Sequence, residues 1–297
     1  MLTNKIFILG AGAIGSYFGS QLSTVADVTL IARRNHVDAI VKNGLQVIGE
    51  INKTYRIKAS TEIEQLPSNS TVIITTKTTD LEETLNSSYN SFKGDTTIVI
   101  LQNGHGNEEI TRKIVGPEIE IVRGLINTGV NFLTSGKIEI KLSNPTIIEN
   151  SPAGRKLASL FASCGLEVEL SDNMETEIWR KLVLNCVINP LTALFRVPNR
   201  EIAVETLRGL IHDIVSECIQ VSAAEGVFLD QGMADNIYDL IAQYGNLSSM
   251  CQDIIKGKKT EIEFLNGRVS ELGKTHGVST PINDTLSALI RYLEGQR

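Results

Sequence analysis

The sequence predicts an α/β protein in two parts, an open parallel sheet covered by helices and then an all-helical region. Three observations carry this reading. From Lys5 to about Leu101, short β-branched runs alternate with helix-compatible segments, the pattern of a parallel sheet buried on both faces. From Asp172 onward strand-like runs vanish and helical periodicity persists to the C-terminus, broken at Pro198, Gly226, Gly245 and Pro281. The 297 residues exceed what one core usually supports.

Strands are expected near 5–9, 27–32, 71–76 and 96–101. Between Glu120 and Glu149 the chain is rich in Ile, Val and Thr and punctuated by Gly124, Gly129 and Gly136, which suits hairpin-like strands extending the first sheet. The boundary then falls near 170, giving domains 1–171 and 172–297. No internal repeat or low-complexity tract interrupts them.

Composition removes several function classes. Hydrophobic residues at 42% and charged residues at 21% are those of an ordinary soluble globular protein. A net charge of -6 supplies no basic field for a phosphate backbone, so no nucleic acid partner is expected. Cys164, Cys186, Cys218 and Cys251 stand 22 or more residues apart without metal-ligand spacing and read as reduced, packed thiols. The apolar run Ile6–Leu9 stops at glycine, too short for a signal core or a membrane span, so a cytoplasmic protein with no membrane partner is expected. His36, His105, His212 and His276 have no paired spacing; they read as satisfied or solvated side chains, and no metal is assigned.

The segment KIFILGAGAIGSYFGSQLS places Gly10, Gly12 and Gly15 after an apolar strand and at the start of a helix. Gly10 permits a tight turn, Gly12 lets backbone approach a pyrophosphate, and Gly15 allows close helix packing on the strand. Gly10, Ala11, Gly12, Ala13, Ile14 and Gly15 would then offer unpaired N–H groups at a helix N-terminus to the phosphates. Such a motif can also be a flexible turn, but in this context it marks a Rossmann dinucleotide-binding domain. The fold class is therefore an N-terminal Rossmann domain followed by an all-helical C-terminal domain.

At the end of the second strand, where an NAD enzyme places a carboxylate for the ribose 2′-hydroxyl, the chain has Ala32, Arg33 and Arg34. A guanidinium there can grip a 2′-phosphate, so the cofactor expected is NADPH/NADP+, the alternative being two solvated arginines. Lys77, closing TVIITTK, and Asn103, opening NGHGNEE, end two further strands at the edge where such sheets bind ligands; each also has a reading as ordinary loop chemistry.

In METEIWRKLVLNCVINPLTALF, a helical projection puts Ile178, Trp179, Leu182, Val183 and Cys186 on one apolar stripe, with Lys181, Asn185 and Asn189 in a row along its edge. The row can be a snorkelling lysine with two polar neighbours. A second helix is expected near 258–274, its stripe running through Ile262, Leu265, Val269 and Leu272. Glu261 lies about 50° from the centre of that stripe and leans inward, whereas Glu263 points to water. An inward carboxylate needs a partner, either a structural cation or a ligand.

These residues resemble the 2-dehydropantoate 2-reductase family, also called ketopantoate reductase. GAGAIG, the TTK and QNGHGNE strand ends, WRKLVLNCVINPLTAL and SSMCQDIIKGKKTEIEFLNG carry the resemblance over nearly the whole chain, and the last two blocks are highly specific. The resemblance implies NADPH-dependent reduction of 2-dehydropantoate to (R)-pantoate in pantothenate biosynthesis, with Lys181 as the general acid at the C2 ketone. It makes Glu261 its catalytic partner, bonding substrate oxygens and bordering the cofactor. Asn103, Asn185 and Asn189 would orient the substrate, Ser249 would bond its carboxylate, and Lys77 and Asn103 would also border the cofactor. The expected partner is a small 2-keto acid, and a homodimer stays an open expectation. Reduction of a different 2-keto acid, an opine-type coupling, and an NADPH-binding sensor without turnover are the rival readings.

Overall fold

The computed structural model describes residues 5–88, 91–92 and 94–296. The chain divides into two compact units, Met1–Met174 and Glu175–Arg297.

The first unit is built on an eight-stranded sheet. Its centre consists of β1 (Lys5–Leu9), β2 (Asp27–Ile31), β6 (Thr71–Ile74) and β7 (Thr97–Ile100), which coincide with the four strands the β-branched runs predict, ends shifted by up to two residues. These strands run parallel, each buried from both sides, which is why they read as continuous apolar runs. Helices α1 (Ala13–Leu22), α2 (Arg34–Asn43), α3 (Leu81–Ser88), α4 (Asn107–Val115) and α5 (Pro152–Ser163) make the crossovers.

The region 120–149 requires a correction. Only β8 (Glu120–Leu125) and β11 (Thr146–Glu149) extend the main sheet, whose order is completed by β5 (Lys58–Ser60) at one edge and β12 (Val168–Ser171) at the other. The hairpin β9 (Gly129–Thr134) and β10 (Lys137–Leu142) instead pairs with β3 (Leu45–Gly49) and β4 (Lys53–Tyr55) in a separate four-stranded sheet. The reason is burial: Ile138 and Ile140 of β10 and Leu45 and Val47 of β3 point to one face and pack with Tyr17, Phe18 and Leu22 of α1. Helix α1 thereby has apolar cover on more than one side, and Gly15 to Leu22 are all buried. The small sheet escapes a sequence reading because β3 and β4 are short and carry Gln, Lys and Thr on their exposed faces.

His36 stitches these layers together. Its Nδ1 accepts from the Gly136 backbone N–H at 2.9 Å, which leaves the proton on Nε2 to donate to Ser16 Oγ at 3.0 Å. Burial pushes its pKa down, so the ring stays neutral, in line with a satisfied histidine.

The second unit is helical throughout: α6 (Met174–Phe195, its first residue in the preceding unit), α7 (Glu205–Ala224), α8 (Met233–Ile241), α9 (Ser249–Ile255), α10 (Asn266–His276) and α11 (Pro281–Gly295). The breaks at Pro198, Gly226 and Gly245 fall between helices as expected, and Pro281 marks the next boundary as the first residue of α11. Trp179, Leu182, Val183 and Cys186 of the predicted stripe lie in its core. A second correction concerns the helix expected at 258–274. It begins at Asn266, preceded by a short 3-10 turn at Ile262–Phe264. Thr260 explains the delay, because its hydroxyl takes the Ile262 N–H at 3.3 Å and competes with helix formation. Ile262, Leu265, Val269 and Leu272 are nevertheless all buried.

Candidate active site

In the first unit, chemistry-bearing residues collect where the parallel strands end. After β1 the chain turns at Gly10, whose φ of +92° is left-handed. A Cβ on Gly10 would lie 2.5 Å from the Thr76 backbone nitrogen, and one on Gly15 would lie 2.4 Å from Thr75 Oγ1 and 2.9 Å from Ile8 Cγ2. Both positions are closed by the chain itself. Gly12 differs: its Cβ would meet only the Gly10 carbonyl oxygen, at 3.9 Å. The space beside Gly12 is therefore left for something other than protein.

Gly12 caps α1 without a side-chain hydrogen bond, and no acidic residue stands in the first turn. Ala11 is buried, while Ala13 and Ile14 are half-buried, so the orphan N–H groups of that turn form a neutral surface of small side chains with a partial positive charge. Backbone of this kind fits the pyrophosphate of a dinucleotide.

At the end of β2, Arg33 and Arg34 are exposed at the start of α2. A carboxylate does reach them from elsewhere, since Asp80 from the turn after β6 lies 3.8 Å from the Arg33 guanidinium. Both side chains are largely in solvent, so the pair is weak and a dianion would displace it. Lys77, half-buried, precedes the 3-10 turn Thr78–Asp80. The structure brings the Lys77 and Asn103 strand ends together: Thr78 Oγ1 donates to the Asn103 carbonyl at 3.0 Å, and Gln102 Nε2 donates to the Thr76 carbonyl at 2.9 Å. Asn103 is half-buried, and its carbonyl also accepts from Asn107 Nδ2 at 2.8 Å.

In the second unit, α6 carries Lys181, Asn185 and Asn189. Lys181 and Asn185 are half-buried and Asn189 is buried. The surroundings of the Lys181 ammonium are dry enough that burial pulls its pKa from the ordinary lysine value of 10.5 to about 8. A lysine that titrates near neutrality can hand over a proton, which a solvated one does poorly.

Glu261 is half-buried, but it sits just before the 3-10 turn rather than on an α-helix. Glu263 is exposed as expected and forms a two-pronged ion pair with Arg291 at 2.6 and 2.7 Å, which holds its carboxyl below the usual range. Ser249 is exposed on the first turn of α9, whereas Ser248 is buried and caps that helix by accepting from Cys251 N at 3.0 Å. Ser248 Oγ also lies 2.7 Å from Thr192 Oγ1, which donates to the Ile188 carbonyl at 2.7 Å, so the Ser248 hydroxyl proton points to Thr192. That bond ties the SSM segment to α6. The sequence reading passed over Ser248, although a serine three residues ahead of a helical amide is a cap signal.

A glycine-turned cradle open beside Gly12 and a lysine with a lowered pKa are the two things a nicotinamide-dependent reductase needs, a seat for the dinucleotide and a proton donor. The chain is of that class. The model described as "Ketopantoate reductase PanE/ApbA" matches residues 6–152, and the one described as "Ketopantoate reductase PanE/ApbA C terminal" matches residues 173–294. The 2-dehydropantoate 2-reductase of Pyrococcus horikoshii is 35% identical, covering 98% of this chain and 97% of the relative. Among solved structures, a PanE/ApbA family ketopantoate reductase from Ralstonia eutropha superposes with a TM-score of 0.92 at 31% identity, over 98% of this chain and 99% of that one. D-mandelate dehydrogenase with NADH and anilino(oxo)acetate superposes at 0.91 and 30% identity, with the same coverage. The chain belongs to the ketopantoate reductase family.

Proposed function

We propose that the protein reduces 2-dehydropantoate to (R)-pantoate with NADPH, and that Lys181 is its general acid. The observation that carries the reaction is the 35% identity to a 2-dehydropantoate 2-reductase over almost the whole of both chains. The reduced nicotinamide, when bound, supplies the hydride. What the chain's own residues do follows from their chemistry. The first-turn amides of α1 hold the pyrophosphate, and Arg33 and Arg34 favour a 2′-phosphate. Hydride addition to a ketone leaves an alkoxide, which the Lys181 ammonium stabilises and then quenches by giving up its proton. The family resemblance adds that Glu261, Asn185, Asn189 and Asn103 orient the substrate, that Ser249 binds its carboxylate and that Lys77 borders the cofactor.

A second reading has specific support: the likeness to D-mandelate dehydrogenase, bound there to NADH, favours another 2-keto acid and the other dinucleotide. One experiment separates the two. Loss of reduced-nicotinamide absorbance is followed with ketopantoate and with phenylglyoxylate, each with NADPH and with NADH. NADPH-selective turnover of ketopantoate is the expected result, and selective turnover of phenylglyoxylate would transfer the assignment to the second reading.

A homodimer and a cytoplasmic location belong to the same proposal. Exposed apolar side chains on the second unit, including Phe228 and Tyr292, supply area a second copy could cover, and four free cysteines suit a reducing compartment. Among the described residues, no helix is long and apolar enough to cross a membrane. Sedimentation checks the dimer directly.

A further inference from the structure

Helix α6 contains a proline at a position where a proline should be costly. Pro190 lies inside the helix, and its ring nitrogen cannot donate to the carbonyl four residues earlier, that of Cys186. That carbonyl is buried with the rest of the core, and an orphaned buried acceptor carries a full desolvation penalty.

The missing donor comes from another helix. Asn266, the first residue of α10, is fully buried, and its Nδ2 donates to the Cys186 carbonyl at 2.9 Å. The same Nδ2 donates its second proton to Asn283 Oδ1 at 2.9 Å. Asn283 is oriented in turn by Glu217: the carboxylate accepts from Asn283 Nδ2 at 2.7 Å and from the Asn283 and Ile282 backbone N–H groups at 2.9 and 2.8 Å. A carboxylate accepts only, so Asn283 must turn its amide nitrogen to Glu217 and its oxygen to Asn266. Asn266 then has one arrangement left, with both Nδ2 protons committed. Its own Oδ1 is buried without a hydrogen-bond partner among the described residues, a cost that a side chain present only to fill space would avoid.

We propose that Asn266 is a positioning residue for catalysis, replacing the hydrogen bond that Pro190 removes and so fixing the angle between the two halves of α6. Lys181 and Asn185 stand on the half before Pro190, and Thr192, bonded to Ser248, stands beyond it. Because Asn266 follows Glu261 by only five residues, the segment that serves the Cys186 carbonyl also carries that carboxylate. The inference rests on the reading of Lys181 as the acid.

The test is a rescue. Asn266→Ala is expected to lower kcat by roughly tenfold or more while cofactor affinity stays unchanged, since a displaced acid loses rate rather than nucleotide binding. In the Pro190→Ala background the restored backbone N–H serves the Cys186 carbonyl, and most of that loss should disappear. Amide exchange at Leu191–Leu194 gives a readout independent of turnover, rising in Asn266→Ala and returning toward wild type in the double variant. If Asn266→Ala fails to fold, recovery of folding and activity in the double variant is the same rescue. Unchanged kcat in Asn266→Ala, or a loss that Pro190→Ala does not reduce, overturns the proposal. Lys181→Ala, measured alongside, keeps the two ideas apart: full activity there defeats Lys181 as the acid, and amide exchange then decides alone whether Asn266 holds α6 at Pro190.

Discussion

Gly12 and Lys181 sit on helices of opposite construction. Helix α1 is short, opens on a glycine without a side-chain cap, and offers backbone N–H groups. Helix α6 has 22 residues with a proline inside, and it offers the ends of side chains. At α1 the working geometry is set by glycines that let one βα turn pass against the end of the neighbouring strand β6, where a single added Cβ would collide with Thr76 or Thr75. At α6 it depends on partners far away in sequence, Asn266, Asn283 and Glu217 on one side and Ser248 on the other. The glycines that shape a backbone site are written in one short window, whereas a side-chain site takes its geometry from groups scattered through its domain.

The largest effect should come from the side-chain site. Lys181→Ala is expected to lower kcat by roughly 10² or more with cofactor binding retained, the range for loss of a general acid. Steady-state kinetics together with nucleotide titration checks this, and a kcat near wild type would leave α6 as scaffold only. Next comes a pair of alanines in the cradle. Gly10→Ala puts a Cβ at left-handed φ and 2.5 Å from backbone, so thermal unfolding should shift down by several degrees or expression should fail. Gly12→Ala meets no such wall and should melt like wild type while binding the dinucleotide about tenfold or more weakly. Equal behaviour of the two variants would mean that the space beside Gly12 is not the cofactor's.

The same contrast explains what could be read from sequence. The four central strands, the cradle and the apolar stripe of α6 were legible because each is written in a short window, by β-branched runs, glycine spacing or helical period. The second sheet was not: its strands are three to six residues long, and they pair β3 with β10 across some ninety positions, a choice made by shared cover over α1. Glu261 was correctly taken off the solvent face, but the helix assigned to it was not there, since Thr260 and the turn at Leu265 delay α10. Asp80 near Arg33 was invisible because it arrives from a different strand end.

That neighbour gives a finer test of the cradle. Arg33→Ala with Arg34→Ala should weaken NADPH by about tenfold or more and NADH little, since only NADPH offers a 2′-phosphate to a guanidinium. Asp80→Asn should move the preference the other way by a smaller factor, because it removes a negative charge 3.8 Å from Arg33, and the gain should shrink as salt rises. An unchanged preference in the arginine variant would place the phosphate contact elsewhere.

The smallest effect concerns what Lys181 costs the fold. With a folded-state pKa of about 8 against an ordinary value of 10.5, the unfolded chain holds the proton more tightly than the folded one. Burial of the charge therefore destabilises the protein in full below about pH 8, and the penalty is relieved as pH rises toward 10.5. Lys181→Met keeps the apolar stem and removes the charge, so it should melt above wild type at neutral pH, by roughly 2–8 °C for each kcal/mol in domains of this size range. The gap should close as pH rises. Activity should run against it, with kcat/KM falling above about pH 8 as the acid loses its proton. A Lys181→Met chain no more stable than wild type at pH 7, or a wild-type rate flat through pH 9, would show that the ammonium is well solvated and that α6 holds its lysine no more tightly than an open surface would.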